Sequence, residues 1–478
     1  MKNIIEKIEK NPLLFILSGL AIHFIIRMLF SETIQVDDRE QVYFGQFLNL
    51  GYQMPQPPLY SWLSWLFFYF FGSNLLALSI IKYLLISLTF YFIFKIANKI
   101  FESKLLIATT LASFLLMPSF FWHMHQGFTH TVLLGLGIVA TLYYLFKLSE
   151  FQSWKNYLLF GVCISIGLLS KYSYIIYFLI LVLTILVNRN YRDLVFNRKI
   201  FISLGIIFIL SSPHYLWLLD NFNSISTEAK SRLLIDEINV IHLENFSKIL
   251  KAYIGFLSPL ILFFIPFIFK RDRKESNDKS QNHIYFFRNF FIIVLILSII
   301  FGSFYEIEKI KIRWLHPLLM ISPFWLLLEL KVFKFANRKF FSFIIKGAIF
   351  LTILVYSIRV AQMTIGPNLG FYGRLNVPIS TTLRKIPNEF LKNSVIFTKD
   401  FDIFSHLFNV FPFNPVIYDG KTFNQQKNVI FRNCLIISTN EIPFGDNEIK
   451  RGKATSKVAD REYNIHYSLK NDSKCILN

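Results

Sequence analysis

The chain is short of charge, of acid in particular, and of cysteine. Charged residues make up 17% of its 478 residues, against about 25% in a typical soluble domain. So few charges cannot cover a water-exposed surface, which argues against an ordinary soluble enzyme. Three cysteines exclude a disulfide framework and form no zinc-finger spacing. The composition also excludes disorder, a coiled coil and a collagen-like chain. There is no Gly-rich phosphate loop, no Ser-His-Asp signature and no HExxH. What is present is apolar: 54% hydrophobic and 18% aromatic residues, with a mean hydropathy of +0.46. Fifty basic against 30 acidic residues leave a net charge of +20. In so apolar a chain that excess reads as cytoplasmic loops of a membrane protein, and no nucleic acid partner is expected.

A helix needs roughly 20 mostly apolar residues to cross a bilayer. By that ruler the candidate spans are Asn11–Phe30, Ser73–Lys95, Ser103–Phe121, Thr131–Lys147, Tyr157–Leu169, Tyr172–Val187, Ile200–Leu218, Ile249–Phe269, Phe290–Phe304, Trp314–Leu330 and Phe340–Tyr356. The fold class expected is therefore α: a polytopic helical membrane protein of about eleven transmembrane helices. The first span is not read as a cleaved signal peptide, because its apolar run is long and no small-residue cleavage site follows.

Basic residues orient the chain. Lys2, Lys7 and Lys10 precede the first span, and alternate loops repeat the pattern, as at Arg189, Arg192, Arg198 and Lys199. The loop 31–58 has Arg39 alone, and 123–130 has no Lys or Arg. The expected topology has a cytoplasmic N-terminus and an outer C-terminus, in the cell (inner) membrane. Lys230, Arg232, Lys309, Lys311 and Arg313 break the pattern on the outer side. They read either as solvated loop charges or as an anion site for a lipid phosphate.

Beyond Ala361 no spanning run appears. Val395–Thr398, Val416–Tyr418 and Leu435–Ser438 are short β-type runs between polar turns. The domains read as 1–360, the membrane part, and 361–478, a small soluble α/β domain on the outer, periplasmic side. Cys434 and Cys475 both fall in the latter, free or paired.

Carboxylates near a membrane are informative where they cluster. Asp37, Asp38, Arg39 and Glu40 follow the first span directly. A carboxylate there suits a general base, and two adjacent acids also suit a divalent cation; a hydrated polar loop is the plainer alternative. No other cofactor is called for. Tyr52, Gln56, Pro57 and Pro58 come next, and Trp62, Trp65 and Phe68 then recur at helical spacing, as in an interfacial helix or an aromatic belt. Lys171 interrupts two apolar runs beside Tyr172, so it should meet water, a carboxylate or a phosphate, or snorkel at a helix end. Lys82 lies within a span and reads as a structural ion-pair partner. His123, His125 and His130 lie within eight positions, but no nearby acid or cysteine completes a metal set.

The order of one span, Asp37-Asp38-Arg39-Glu40, Gln46, Gly51-Tyr52, then Gln56-Pro57-Pro58-Leu59-Tyr60-Ser61-Trp62 resembles the first loop of the family 39 and aminoarabinose-transferase-like membrane glycosyltransferases. Gly167 to Tyr172, Ser212 to Trp217 and Trp314 to Pro317 fit later landmarks of that group. The resemblance implies a GT-C fold. It also implies a sugar carried on a polyprenyl phosphate and an acceptor (lipid, glycan or protein) on the outer face. Asp37 matches the presumed base, Asp38 its neighbour, and Lys171 the lysine after the fifth span. Two departures stand out. Gln56 replaces a common Lys or His, and His130 stands where relatives carry a second acid. On this reading Asp37 takes the acceptor proton, with inversion at C1, while Lys171, Arg313 or Arg39 offsets the phosphate charge. The competing class is a polytopic transporter or lipid flippase, but no internal repeat of that kind is seen.

Overall fold

The computed structural model describes residues 2–52, 56–233, 235–237, 243–265, 281–307, 310–333, 335–424, 432–444, 447–471 and 475. Lys309 and the basic cluster 270–279 lie outside them, as do the side chains of Lys230 and Arg232. The chain forms two compact units. One comprises Met1–Ile22, Asn49–Tyr60 and Lys82–Val355; the other comprises His23–Leu48, Ser61–Ile81 and Tyr356–Asn478.

The first unit is helical. Among the described residues of the whole chain, six helices are long and apolar enough to cross a bilayer: Pro12–Phe30, Leu75–Ile100, His130–Glu150, Ile200–Asp220, Gln281–Ser303 and Arg338–Thr364. Two bent pairs bring the number to as many as eight, and three shorter apolar helices accompany them. Each expected span falls on helix, although residues of the eighth beyond 265 lie outside those described. One bend, of 73°, separates Lys104–Phe114 from Pro118–His125. Pro118 sits at the start of the second piece, where its missing N–H costs nothing.

His130–Glu150 is the centre of this unit, 89% buried, whereas Ile200–Asp220 is 17% buried. The latter leaves Phe201, Leu204, Phe208, Leu216 and Leu219 outward. Such a side suits lipid, and the helix satisfies its own backbone. Close packing at the centre depends on glycine. A Cβ at Gly137 would come within 2.7 Å of the Gly167 Cα, so the helices His130–Glu150 and Trp154–Leu168 touch backbone to backbone. Ser153 caps the second, its side chain accepting from the Asn156 N–H at 3.2 Å. A short antiparallel pair, β1 (Ile235–Glu237) with β2 (Tyr305–Ile307), completes the unit.

The second unit carries the C-terminal sheet. Its strands are β3 (Ser394–Phe397), β4 (Val416–Tyr418), β5 (Lys421–Phe423), β6 (Asn433–Ser438), β7 (Glu448–Val458) and β8 (Arg461–Lys470), in the order β5-β4-β3-β6-β8-β7. β3 runs parallel to β4 and β6; β8 runs antiparallel to β6 and β7. The Phe401–Val410 helix makes the crossover from β3 to β4 that a parallel pair requires. Asp419 and Gly420, both at positive φ (51° and 69°), form the two-residue turn from β4 to β5, the primed-turn chemistry of a tight hairpin. Cys434 of β6 is disulfide-bonded to Cys475 across 5.2 Å between Cα atoms. The core joins Ile396, Leu435, Ile437 and Ile465 of the sheet to Ile403, Phe404 and Leu407 of the helix. Ile34, Val42, Phe68 and Leu78, from far earlier in the chain, share that core.

Candidate functional site

The candidate residues divide between the two units. Asp37, Asp38, Arg39 and Glu40 belong to the second; Tyr52, Gln56, His130, Lys171, Tyr172 and Arg313 belong to the first.

In the second unit, the chain leaves Pro12–Phe30 through a short extended strap and enters the helix Val36–Phe44. Gln35 starts that helix in an extended conformation, and its carbonyl accepts from the Arg39 N–H at 2.9 Å. Asp37 and Asp38 occupy the first turn. Unsatisfied N–H groups gather there, and the helix dipole favours negative charge. Asp38 is buried and Asp37 half-buried, so Asp37 is the acid of the pair more open to a solvent-borne hydroxyl.

Arg39 is held by an acid of the same unit. Its guanidinium donates to Asp402, which also receives Arg374, and it lies over the Phe401 ring at 5.4 Å. Burial, then the neighbouring Arg374, push its pKa down, and Asp402 opposes both. At the other end of the helix, Tyr43 donates to Asp419 Oδ2 at 3.0 Å and receives Lys421 Nζ at 3.1 Å. Between the ends, Gln41 Oε1 accepts from the Ser61 hydroxyl at 2.9 Å.

In the first unit, three stretches of chain meet. Lys171 stands in the break between the helices Trp154–Leu168 and Tyr174–Val187. It is 9% exposed, and its Nζ donates to Thr131 Oγ1 at 3.0 Å. His130 donates from Nδ1 to the Ser170 carbonyl at 3.2 Å and packs its ring 5.6 Å from Tyr60. The Leu59 N–H donates to the Leu169 carbonyl at 3.1 Å, tying the Pro57-Pro58 turn to the lysine's own loop. Tyr172 donates to His214 Nε2 at 3.3 Å, and His214 Nδ1 donates to the Leu50 carbonyl at 2.9 Å. Burial lifts the Tyr52 phenol to about 12, so it stays neutral, and its oxygen accepts from the Asn49 N–H at 3.4 Å.

Gly51 passes directly under Trp217. A Cβ there would stand 2.0 Å from the indole, which only glycine avoids. Gln56 is half-buried near this turn, and Arg313 is half-buried on the short helix Ile312–Trp314.

The three histidines do not converge. His123 stacks on Phe128 at 5.6 Å, His125 on Tyr83 at 5.7 Å, and His130 faces Tyr60. Among the described residues no group of three His, Cys, Asp or Glu side chains is set to hold a metal ion. Lys82 donates to the Gln126 carbonyl at 2.6 Å.

In the first-unit cluster Thr131 carried no chemical signal of its own, and His214 and Trp217 stood within the Ser212 to Trp217 landmark without a role. Asp402, Arg374 and His406 of the second unit carried no signal at all.

Residues 55–217 match the family model described as dolichyl-phosphate-mannose-protein mannosyltransferase. That stretch holds Gln56, His130, Lys171, Tyr172, His214 and Trp217. Among curated proteins, the lipopolysaccharide core galacturonosyltransferase RgtB of Rhizobium johnstonii is 26% identical over 78% of this chain and 77% of its own. RgtA of the same organism, named for the same activity, is 23% identical over 85% and 82%. Among solved structures, ArnT from Cupriavidus metallidurans, crystallised with undecaprenyl phosphate, superposes with a TM-score of 0.55 at 13% identity. The likeness covers 95% of this chain and 97% of that one, and it establishes the fold.

Proposed function

We propose that the chain is a GT-C membrane glycosyltransferase of the family 39 and aminoarabinose-transferase-like group, and its reaction follows from that premise. It moves a sugar from a polyprenyl phosphate to a hydroxyl on an envelope glycan or lipid at the outer face of the membrane. The observation that carries this reading is the match to two galacturonosyltransferases along about four-fifths of both chains. The undecaprenyl phosphate bound to the structural neighbour supports the choice of carrier. Undecaprenyl-phosphate galacturonate is therefore the first donor to test, and a lipopolysaccharide core the first acceptor.

The chemistry follows from the side chains. A new bond forms between the acceptor oxygen and the sugar C1 as the bond from C1 to the phosphate oxygen breaks. Asp37 accepts the hydroxyl proton, so the nucleophile never has to carry a full positive charge. The electron pair of the broken bond leaves on the phosphate, where Lys171 and Arg313 offset its charge. One direct displacement inverts C1. His130 takes the place of a second acid and holds the lysine loop through its bond to Ser170.

The test is transfer of radiolabelled sugar from undecaprenyl-phosphate galacturonate in proteoliposomes. Wild-type protein consumes the donor, and Asp37→Asn loses about 10²–10⁴-fold in turnover at equal protein level. Full activity in Asp37→Asn removes Asp37 as the base, and a wild-type protein that moves the intact lipid without cleaving it favours a transporter instead.

A further inference from the structure

The strap that delivers Asp37 is held by residues more than 340 positions away in sequence. Ser31 Oγ donates to the Leu375 carbonyl at 2.7 Å and Thr33 Oγ1 to the Val377 carbonyl at 2.8 Å. The Ile34 N–H donates to His406 Nε2 at 3.0 Å, and Arg374 Nε reaches the Ile34 carbonyl at 3.4 Å. Two of the strap's main-chain groups are thus taken up by the C-terminal domain immediately before the acidic helix begins.

His406 is built for this contact. It is wholly buried in the Phe401–Val410 helix. Its Nδ1–H donates to the Asp402 carbonyl at 2.7 Å, which fixes the tautomer and leaves the Nε2 lone pair for Ile34. The charged groups that face it are Asp402, Arg374 and Arg39, the three that make the ion-pair cluster. Asp402 therefore acts twice: its carbonyl aims the histidine, and its carboxylate holds Arg39, two residues beyond Asp37. A buried residue needed only for packing would not require an acceptor nitrogen aimed at a main-chain N–H.

We infer that the C-terminal domain is a working part of the transferase, with His406 and Asp402 as positioning residues that set the place of Asp37. The domain's part in catalysis rests on Asp37 being the base; the mechanical coupling does not.

The experiment uses full-length protein in nanodiscs as wild type, His406→Leu, His406→Gln and Thr33→Val. Leucine removes the acceptor. Glutamine restores an oxygen for the Ile34 N–H and cannot be protonated. Thr33→Val cuts a second strap bond from the other side with almost no change of shape.

Hydrogen exchange over residues 31–41 gives a readout independent of activity. Exchange should rise about tenfold or more in His406→Leu, about threefold in Thr33→Val, and return to within about twofold of wild type in His406→Gln. Turnover with undecaprenyl-phosphate galacturonate should fall about tenfold in His406→Leu, with donor KM within about twofold, and recover in His406→Gln.

Unchanged exchange in both His406→Leu and Thr33→Val overturns the coupling. Raised exchange with undiminished kcat overturns its catalytic meaning. Absence of turnover in the wild type counts against the proposed donor, and the exchange measurements then still decide the coupling.

Discussion

Lys171 shows how one residue is placed by neighbours of quite different kinds. It sits in a helix break, donates to Thr131, and its loop is tied to Leu59 and to His130. Lys171→Met keeps the packing stem and removes the charge. Turnover should drop about 10²–10³-fold if the ammonium meets a charge that grows in the transition state. Radiolabel transfer checks this, and a change confined to KM would mean ground-state binding alone. Gly51→Ala is a packing test: with a Cβ 2.0 Å from the Trp217 ring, it should cost about 1–3 kcal/mol, read as a lower melting temperature.

His406 gives a pH dependence. Burial is the main force that lowers its pKa from 6.5 to about 4, so the folded protein favours the neutral ring. That contribution is complete above pH 6.5 and is lost as pH falls from 6.5 toward 4. Thermal unfolding of the wild type should weaken over that window, and His406→Gln should flatten the decline.

Asp37 to Glu40 were legible as a candidate site because four polar residues in a row abut an apolar span. Arg39's partner was not. Nothing local in Arg39 marks Asp402, and an exposed-looking arginine beside acids reads equally as a phosphate ligand.

Among the elements, long apolar runs were the most legible. The spans marked by the bilayer ruler fall on helix because lipid permits only self-satisfied backbone, but the six to eight described helices long enough to cross are fewer than the eleven expected, and Arg189–Phe196 and Phe222–Leu233 escaped the ruler. Its boundaries erred where tertiary packing extends a helix into polar sequence, as at Lys95, where the helix continues to Ile100. The strands β3, β4 and β6 were visible as short apolar runs between turns. β7 and β8 were not, because their lysines and arginines alternate with few large apolar residues over Glu448–Lys470.

The pairing of Cys434 with Cys475 was left open by spacing, since two cysteines 41 residues apart constrain nothing until β6 brings them together. Breaking it by Cys434→Ser should cost about 2–4 kcal/mol in the C-terminal domain. Thermal melts with and without reductant measure that loss, and the mutant should be insensitive to reductant.

For the whole molecule, the +20 charge remains the strongest orientation signal. It predicts that an impermeant lysine or cysteine label added outside intact cells reaches the C-terminal domain and spares Lys2, Lys7 and Lys10. Protection of the C-terminal domain would reverse the proposed topology. The disulfide points the same way, because such bonds persist in oxidising compartments.

The second unit has a temporal meaning as well. Its parts are His23–Leu48, Ser61–Ile81 and Tyr356–Asn478, so the acidic helix is made long before its supports. Until Arg374, Asp402 and His406 have been translated and delivered to the same side, Ile34 lacks its acceptor and Arg39 its counter-ion. A chain that stops before Arg374 lacks all of these contacts to the strap and Arg39. The acidic helix therefore gains these supports only once the C-terminal domain has folded.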